Sequence, residues 1–166
     1  MPRLFWRASP LSDSVRTYSK SPVKSGAFLL PSLTLCYDGG MKEIRQTYEI
    51  KAPRSKVWWA LTTAEAAEQW GAGPATMDAR SGGEFSYWDG DIHGINTRVE
   101  PESLLAQDWY GHDDPTQKFN VTFTLEEQSG ATLVHLLYVG DIKDEQKDIK
   151  DWQEYYFTPI KELLEA

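Results

Sequence analysis

The chain has 166 residues, 40% of them hydrophobic and 13% aromatic, and a formal net charge of −8. This is enough for one domain with a sizeable core, and so acidic a balance gives no electrostatic reason to bind nucleic acid or to rest on an anionic membrane. The single cysteine, Cys36, permits no intramolecular disulfide and fits a reducing cytoplasm.

Residues 1–40 stand apart. Arg3, Arg7, Arg16, Lys20 and Lys24 against Asp13 and Asp38 give them a net charge of 5 − 2 = +3, which leaves −11 for the rest. They are rich in Ser and Pro and show neither helical nor strand periodicity, so they read as a disordered extension. Two further readings are a targeting leader and an artefact of gene calling with Met41 as the true start. The second is favoured, because the patterned domain begins at Met41. No stretch is long enough for a transmembrane helix.

From Met41 the pattern becomes regular. Residues 42–50 read as a strand. Pro53 suits a first helical position, and Val57, Trp58 and Leu61 share a face of a helix over 53–61. Thr62-x-x-Glu65 reads as a capping box that restarts a helix over 64–70, with Ala66, Ala67 and Trp70 inward and Gly71 as the stop. Strands follow at about 75–78, 84–88, 94–100, 104–110, 118–127 and 131–140, separated by turn signals such as Ser81-Gly82-Gly83 and Ser129-Gly130. A helix over 144–165 closes the chain, with Ile149, Trp152, Tyr156, Ile160, Leu163 and Leu164 at helical spacing. Pro159 lies within it and predicts a kink, since an interior proline costs about 3 kcal/mol. Antiparallel strands bracketed by helices predict an α+β domain: a curved sheet of six or seven strands with helices on one side.

The same residues resemble the opening of a START-like (SRPBCC, helix-grip) domain, in the group named after the C-terminal domain of the heat-shock-protein-90 ATPase activator. That group has a strand, then Ala-Pro, Val-Trp and a Trp ending the second helix, matched here by Ala52, Pro53, Val57, Trp58 and Trp70. Asp78, Arg80, Gly82, Gly83 and Phe85 match its next motif, and the likeness runs from Met41 to Ala166. Where the group often carries a His near the end of its last strand, this chain has Tyr138; Gly71 replaces a common aromatic after Trp70. The resemblance implies that the C-terminal helix lies across the mouth of the sheet, and that relatives grip hydrophobic ligands between the two. It also implies a possible chaperone partner, and in some superfamily members a cyclase- or hydrolase-like reaction.

Alternation puts Phe119, Val121, Phe123 and Leu125 on one face of their strand, with Val134, Leu136 and Tyr138 on the next, Leu105, Gln107 and Trp109 on another, and Phe85 with Tyr87. Ile95, Thr97 and Val99 are the expected inner set of residues 94–100. This face is either an ordinary core or the wall of a cavity for a hydrophobic or aromatic small molecule. Trp70, Tyr87, Gln107, Trp109, Tyr138, Trp152 and Tyr156 carry polar tips, the mixture a pocket shows. The expected ligand-binding set is Trp70, Phe85, Tyr87, Ile95, Gln107, Trp109, Phe119, Val121, Tyr138, Trp152 and Tyr156. No catalytic set, cofactor or metal site is expected: His93, His112 and His135 fall in separate elements, and no nucleophile elbow or phosphate loop occurs. Asp89, Asp91 and His93, and His112-Asp113-Asp114, could be drawn as proton relays but read first as turn formers. The expected partners are a hydrophobic small molecule, or a chaperone or other protein, in a monomer or homodimer.

Overall fold

The structure, a computed structural model, describes residues 40–166; Cys36 and the expectations for the N-terminal extension lie outside them. Seven antiparallel strands form one sheet in the order β1-β7-β6-β5-β4-β3-β2. They are β1 (Lys42–Ile50), β2 (Thr76–Met77), β3 (Glu84–Tyr87), β4 (Ile92–Glu100), β5 (Leu104–Gly111), β6 (Lys118–Gln128) and β7 (Ala131–Gly140). Two short helices, α1 (Arg54–Thr62) and α2 (Ala64–Gln69), follow β1. The C-terminal helix has three parts: α3 (Glu145–Asp151), a π-helical turn (Trp152–Phe157) and α4 (Thr158–Glu165). This is the α+β helix-grip architecture that the sequence predicts. No helix among the described residues is long and apolar enough to cross a membrane.

The turns follow from local chemistry. Ser129 and Gly130, both at positive φ, form the two-residue β6–β7 turn, and Gln128 pairs with Ala131 across it. The cap of α2 is Thr63 rather than Thr62. Its hydroxyl accepts from the Ala66 N–H at 3.3 Å, while the Thr62 hydroxyl turns back to the Trp58 carbonyl at 2.7 Å. Gly71, at φ +100°, ends α2 in a Schellman arrangement, with Ala72 N–H on the Ala67 carbonyl at 2.8 Å and Gly71 N–H on the Glu68 carbonyl at 3.3 Å.

The C-terminal helix departs from expectation at Pro159. The widened turn before it hands the Thr158 N–H to the Gln153 carbonyl, five residues back. Pro159 thereby falls in the first turn of α4, where a missing N–H costs little. The extra residue per turn also brings Phe157 inward beside Trp152, Tyr156 and Ile160, all buried.

A second departure lies in β4. The pairing with β5 shifts between Asn96 and Arg98, a bulge at Thr97. Before the bulge the inward residues are Ile92, Gly94 and Asn96, so Ile95 faces outward and is 41% exposed. After it the alternation changes phase, and Val99 packs against the core opposite Leu105. One unpaired residue is enough to reverse the faces.

Candidate functional site

The space between the sheet and the C-terminal helix is the place where the expected ligand-binding residues meet. Ten of the eleven converge there: Trp70, Phe85, Tyr87, Gln107, Trp109, Phe119, Val121, Tyr138, Trp152 and Tyr156 are each no more than 4% exposed. Ile95 does not join them, for the reason just given.

Their rings fill the interior by direct contact. Trp152 lies 5.0 Å from Trp109 and 5.1 Å from Tyr156 between ring centres. Tyr156 stacks on Phe123 at 5.6 Å and meets Trp70 edge-on at 4.9 Å. Phe119 stacks on Tyr138 at 5.2 Å. Distances of this order are those of packed aromatic pairs. Phe123 and Phe157 are full members of the cluster at 0% exposure. Sequence reasoning placed Phe123 on the inner face, but missed Phe157, whose inward turn depends on the π-helical widening.

The polar tips divide into two groups. One is fully satisfied. The Trp109 indole N–H donates to the Gln107 side-chain carbonyl at 2.9 Å, and the Gln107 amide donates to the Asn96 carbonyl oxygen at 2.7 Å. The Asn96 amide in turn donates to the Asp78 backbone carbonyl at 2.7 Å. Asn96 was missed because its inward position depends on the bulge. Trp70 is satisfied too: its indole N–H reaches the Ala60 carbonyl of α1 at 3.1 Å and ties the two short helices together.

The second group is not satisfied. The hydroxyls of Tyr138 and Tyr156 are buried without a hydrogen-bond partner of ordinary geometry. Tyr156 faces the Tyr87 hydroxyl, and Tyr138 faces the half-buried Asp148. Burial holds all three phenols well above the ordinary tyrosine range. They stay neutral at physiological pH and are placed to exchange hydrogen bonds. The Asp148 carboxyl is pushed up to about 6, first by desolvation and then by Asp151 and Asp144, with Lys147 opposing.

The loop candidates lie elsewhere. His93 is on the outer sheet face, with its ring 5.9 Å from Tyr110, and is not aimed into the interior. His135 is on β7, separated from it by β5 and β6, and contacts the Thr47 hydroxyl at 3.0 Å. The Asp114 carboxylate accepts from the Thr116 N–H at 3.0 Å and hydroxyl at 2.5 Å, which is the work of a turn former. Among the described residues no three His, Cys, Asp or Glu side chains come together as a metal site.

Known proteins share this frame. The structure of PFC0360w, an HSP90 activator from Plasmodium falciparum, superposes with a TM-score of 0.66 at 22% identity, over 76% of this chain and 97% of that one. The Aha1 dimer from Colwellia psychrerythraea superposes with a TM-score of 0.61 at 18% identity, over 75% and 97%. At these identities the likeness speaks for the fold. In sequence, the human activator of 90 kDa heat shock protein ATPase homolog 1 is 29% identical over 111 residues, 66% of this chain and 33% of the human protein. The chain thus spans about one third of the length of that relative. The profile of the family described as "Activator of Hsp90 ATPase homolog 1-like protein" matches residues 51–165, and the chain belongs to that family.

Proposed function

We propose that this domain is a protein-interaction module that engages a chaperone of the 90 kDa heat-shock class from its outer surface, with the sheet–helix interior acting as structural core. The observation that carries this reading is the filled interior: Trp109, Trp152 and Tyr156 occupy the grip at 2% exposure or less and touch one another. A ligand chamber needs a volume of several hundred Å3, and here that space is taken by rings. The names of the human and Plasmodium relatives supply the class of partner. A cytoplasmic location belongs to the same reading.

Isothermal titration of the chain into the Hsp90-class chaperone of its own cell tests this, with the chaperone's ATP hydrolysis as a second readout. Saturable binding with a change in hydrolysis is expected. Absence of both would overturn it.

One observation favours a second reading, a hydrophobic small molecule held between sheet and helix. The buried hydroxyls of Tyr138 and Tyr156 have no partner of ordinary hydrogen-bond geometry, and leaving such groups poorly paired is costly. A ligand that parts the helix from the sheet and offers polar atoms to both would satisfy them.

A further inference from the structure

β1 forms one edge of the sheet, and among the described residues β7 is its one pairing partner. It runs nine residues in unbroken register and contains neither proline nor bulge, two common guards against edge-to-edge pairing. Its outer face presents Glu43, Arg45, Thr47 and Glu49, all exposed. Its inner face presents Gln46 and Tyr48, both half-buried.

Two polar atoms on that inner face have no hydrogen-bond partner although they are shielded from water: Gln46 Oε1 and the Tyr48 hydroxyl. Both side chains are held in place from the helix side. The Gln46 amide donates to the Ile149 carbonyl at 3.3 Å, and the Tyr48 ring stacks on Phe157 at 3.8 Å. A groove floored by Tyr48 and Phe157, with Lys161 and Glu165 of α4 on its wall, opens along the same edge.

We propose that the chain forms a two-fold dimer in which β1 pairs antiparallel with β1 of a second copy, in a register centred on Thr47. In this register Arg45 of each copy faces Glu49 of the other, and Glu43 comes beside Lys51 just past the strand end. On the inner face Gln46 of each copy comes opposite Tyr48 of the other. Sliding by two residues one way sets Glu43 against Glu49; sliding the other way sets Arg45 against Lys51. Like charges directly opposite are unfavourable, so the pattern selects one register. The bond that Arg45 makes in a single copy, to Glu43 at 3.1 Å, joins two exposed side chains and is cheaply exchanged.

The test is sedimentation velocity on the full chain and three variants. The wild type is expected to show a concentration-dependent dimer. Arg45→Glu and Glu49→Arg each place like charges at two symmetric positions and should raise the dissociation constant about tenfold or more. The double variant Arg45→Glu/Glu49→Arg should dimerise again, and an equimolar mixture of the two single variants should form a heterodimer. Circular dichroism establishes that the variants, changed only at exposed positions, remain folded. A wild type that stays monomeric at every concentration overturns the proposal. So do single reversals that leave the dimer intact, or a double variant and a mixture that stay monomeric.

Discussion

Trp109 and Gln107, two residues apart on β5, are joined side chain to side chain inside the core, with the indole N–H 2.9 Å from the amide oxygen. The bond fixes which way the Gln107 amide points, and so which of its atoms is left to donate to Asn96. Each of the three side chains is at most 1% exposed, so none can turn to water instead. Gln107→Leu keeps the volume and removes both bonds, leaving an indole donor and an amide acceptor stranded. The expected loss is about 2–4 kcal/mol, since each stranded group costs about 1–3 kcal/mol. Urea denaturation followed by tryptophan fluorescence measures it; a change within experimental error would mean that the relay is not formed.

Trp152 carries the C-terminal helix into the grip. It is 2% exposed and lies within about 6 Å of Trp109, Phe123, Tyr138 and Tyr156, ring centre to ring centre. Trp152→Ala is expected to cost about 3–5 kcal/mol, the range for removing a buried aromatic from a packed core. A domain that loses much less would have an interior able to collapse into the space.

Gly94 lies where β4, β5 and the Phe85 ring approach most closely. A Cβ there would stand 1.9 Å from the Asp108 carbonyl oxygen and 2.9 Å from the ring. The first contact is with backbone and cannot move aside alone. Gly94→Ala should therefore destabilise by about 3 kcal/mol or more, or prevent folding. Soluble yield and thermal melting are the readouts, and near-native melting would show that β4 and β5 can spread.

Asp148 predicts a pH dependence. Its folded carboxyl titrates near 6 against an ordinary value of 3.8, because burial disfavours the charged form. A carboxyl raised in the folded state is bound more tightly to its proton there than in the unfolded chain. Its contribution to stability is therefore most favourable below about pH 4, declines between about pH 4 and 6, and is flat above that. Solvent screening of this half-exposed group limits the difference to about 1 kcal/mol. Asp148→Asn removes the carboxyl. Its stability relative to the wild type should rise by that amount from pH 4 to pH 7, as read by denaturant unfolding at a series of pH values. A constant difference across the range would contradict the assignment.

Much of the frame was legible in the sequence, for physical reasons. Alternation in residues 118–127 and 131–140 identified the inner faces of β6 and β7, because nothing interrupts the ladder between them. Gly71 and Ser129-Gly130 marked boundaries through backbone geometry alone, while Pro53, expected at the first helical position, stands one residue outside α1 as its extended cap. The differences at the site share one cause. The bulge at Thr97 and the widened turn over 152–157 each add a residue to a regular period, and a periodic reading cannot foresee an insertion set by tertiary packing. The first moved Ile95 out and Asn96 in. The second brought in Phe157 and made room for Pro159. The cap at Thr63 was read one residue early because two threonines stand side by side and either hydroxyl suits the role.

The grip is occupied by the chain's own aromatic rings. A thermal-shift screen with aromatic polyketides, flavonoids and fatty acids tests it most directly, since a ligand that binds the folded state raises the melting temperature by mass action. The packed interior predicts no shift with any of them. A reproducible, saturable rise with one class, abolished by Tyr138→Phe and Tyr156→Phe together, would contradict the claim and make the sheet–helix space a binding site.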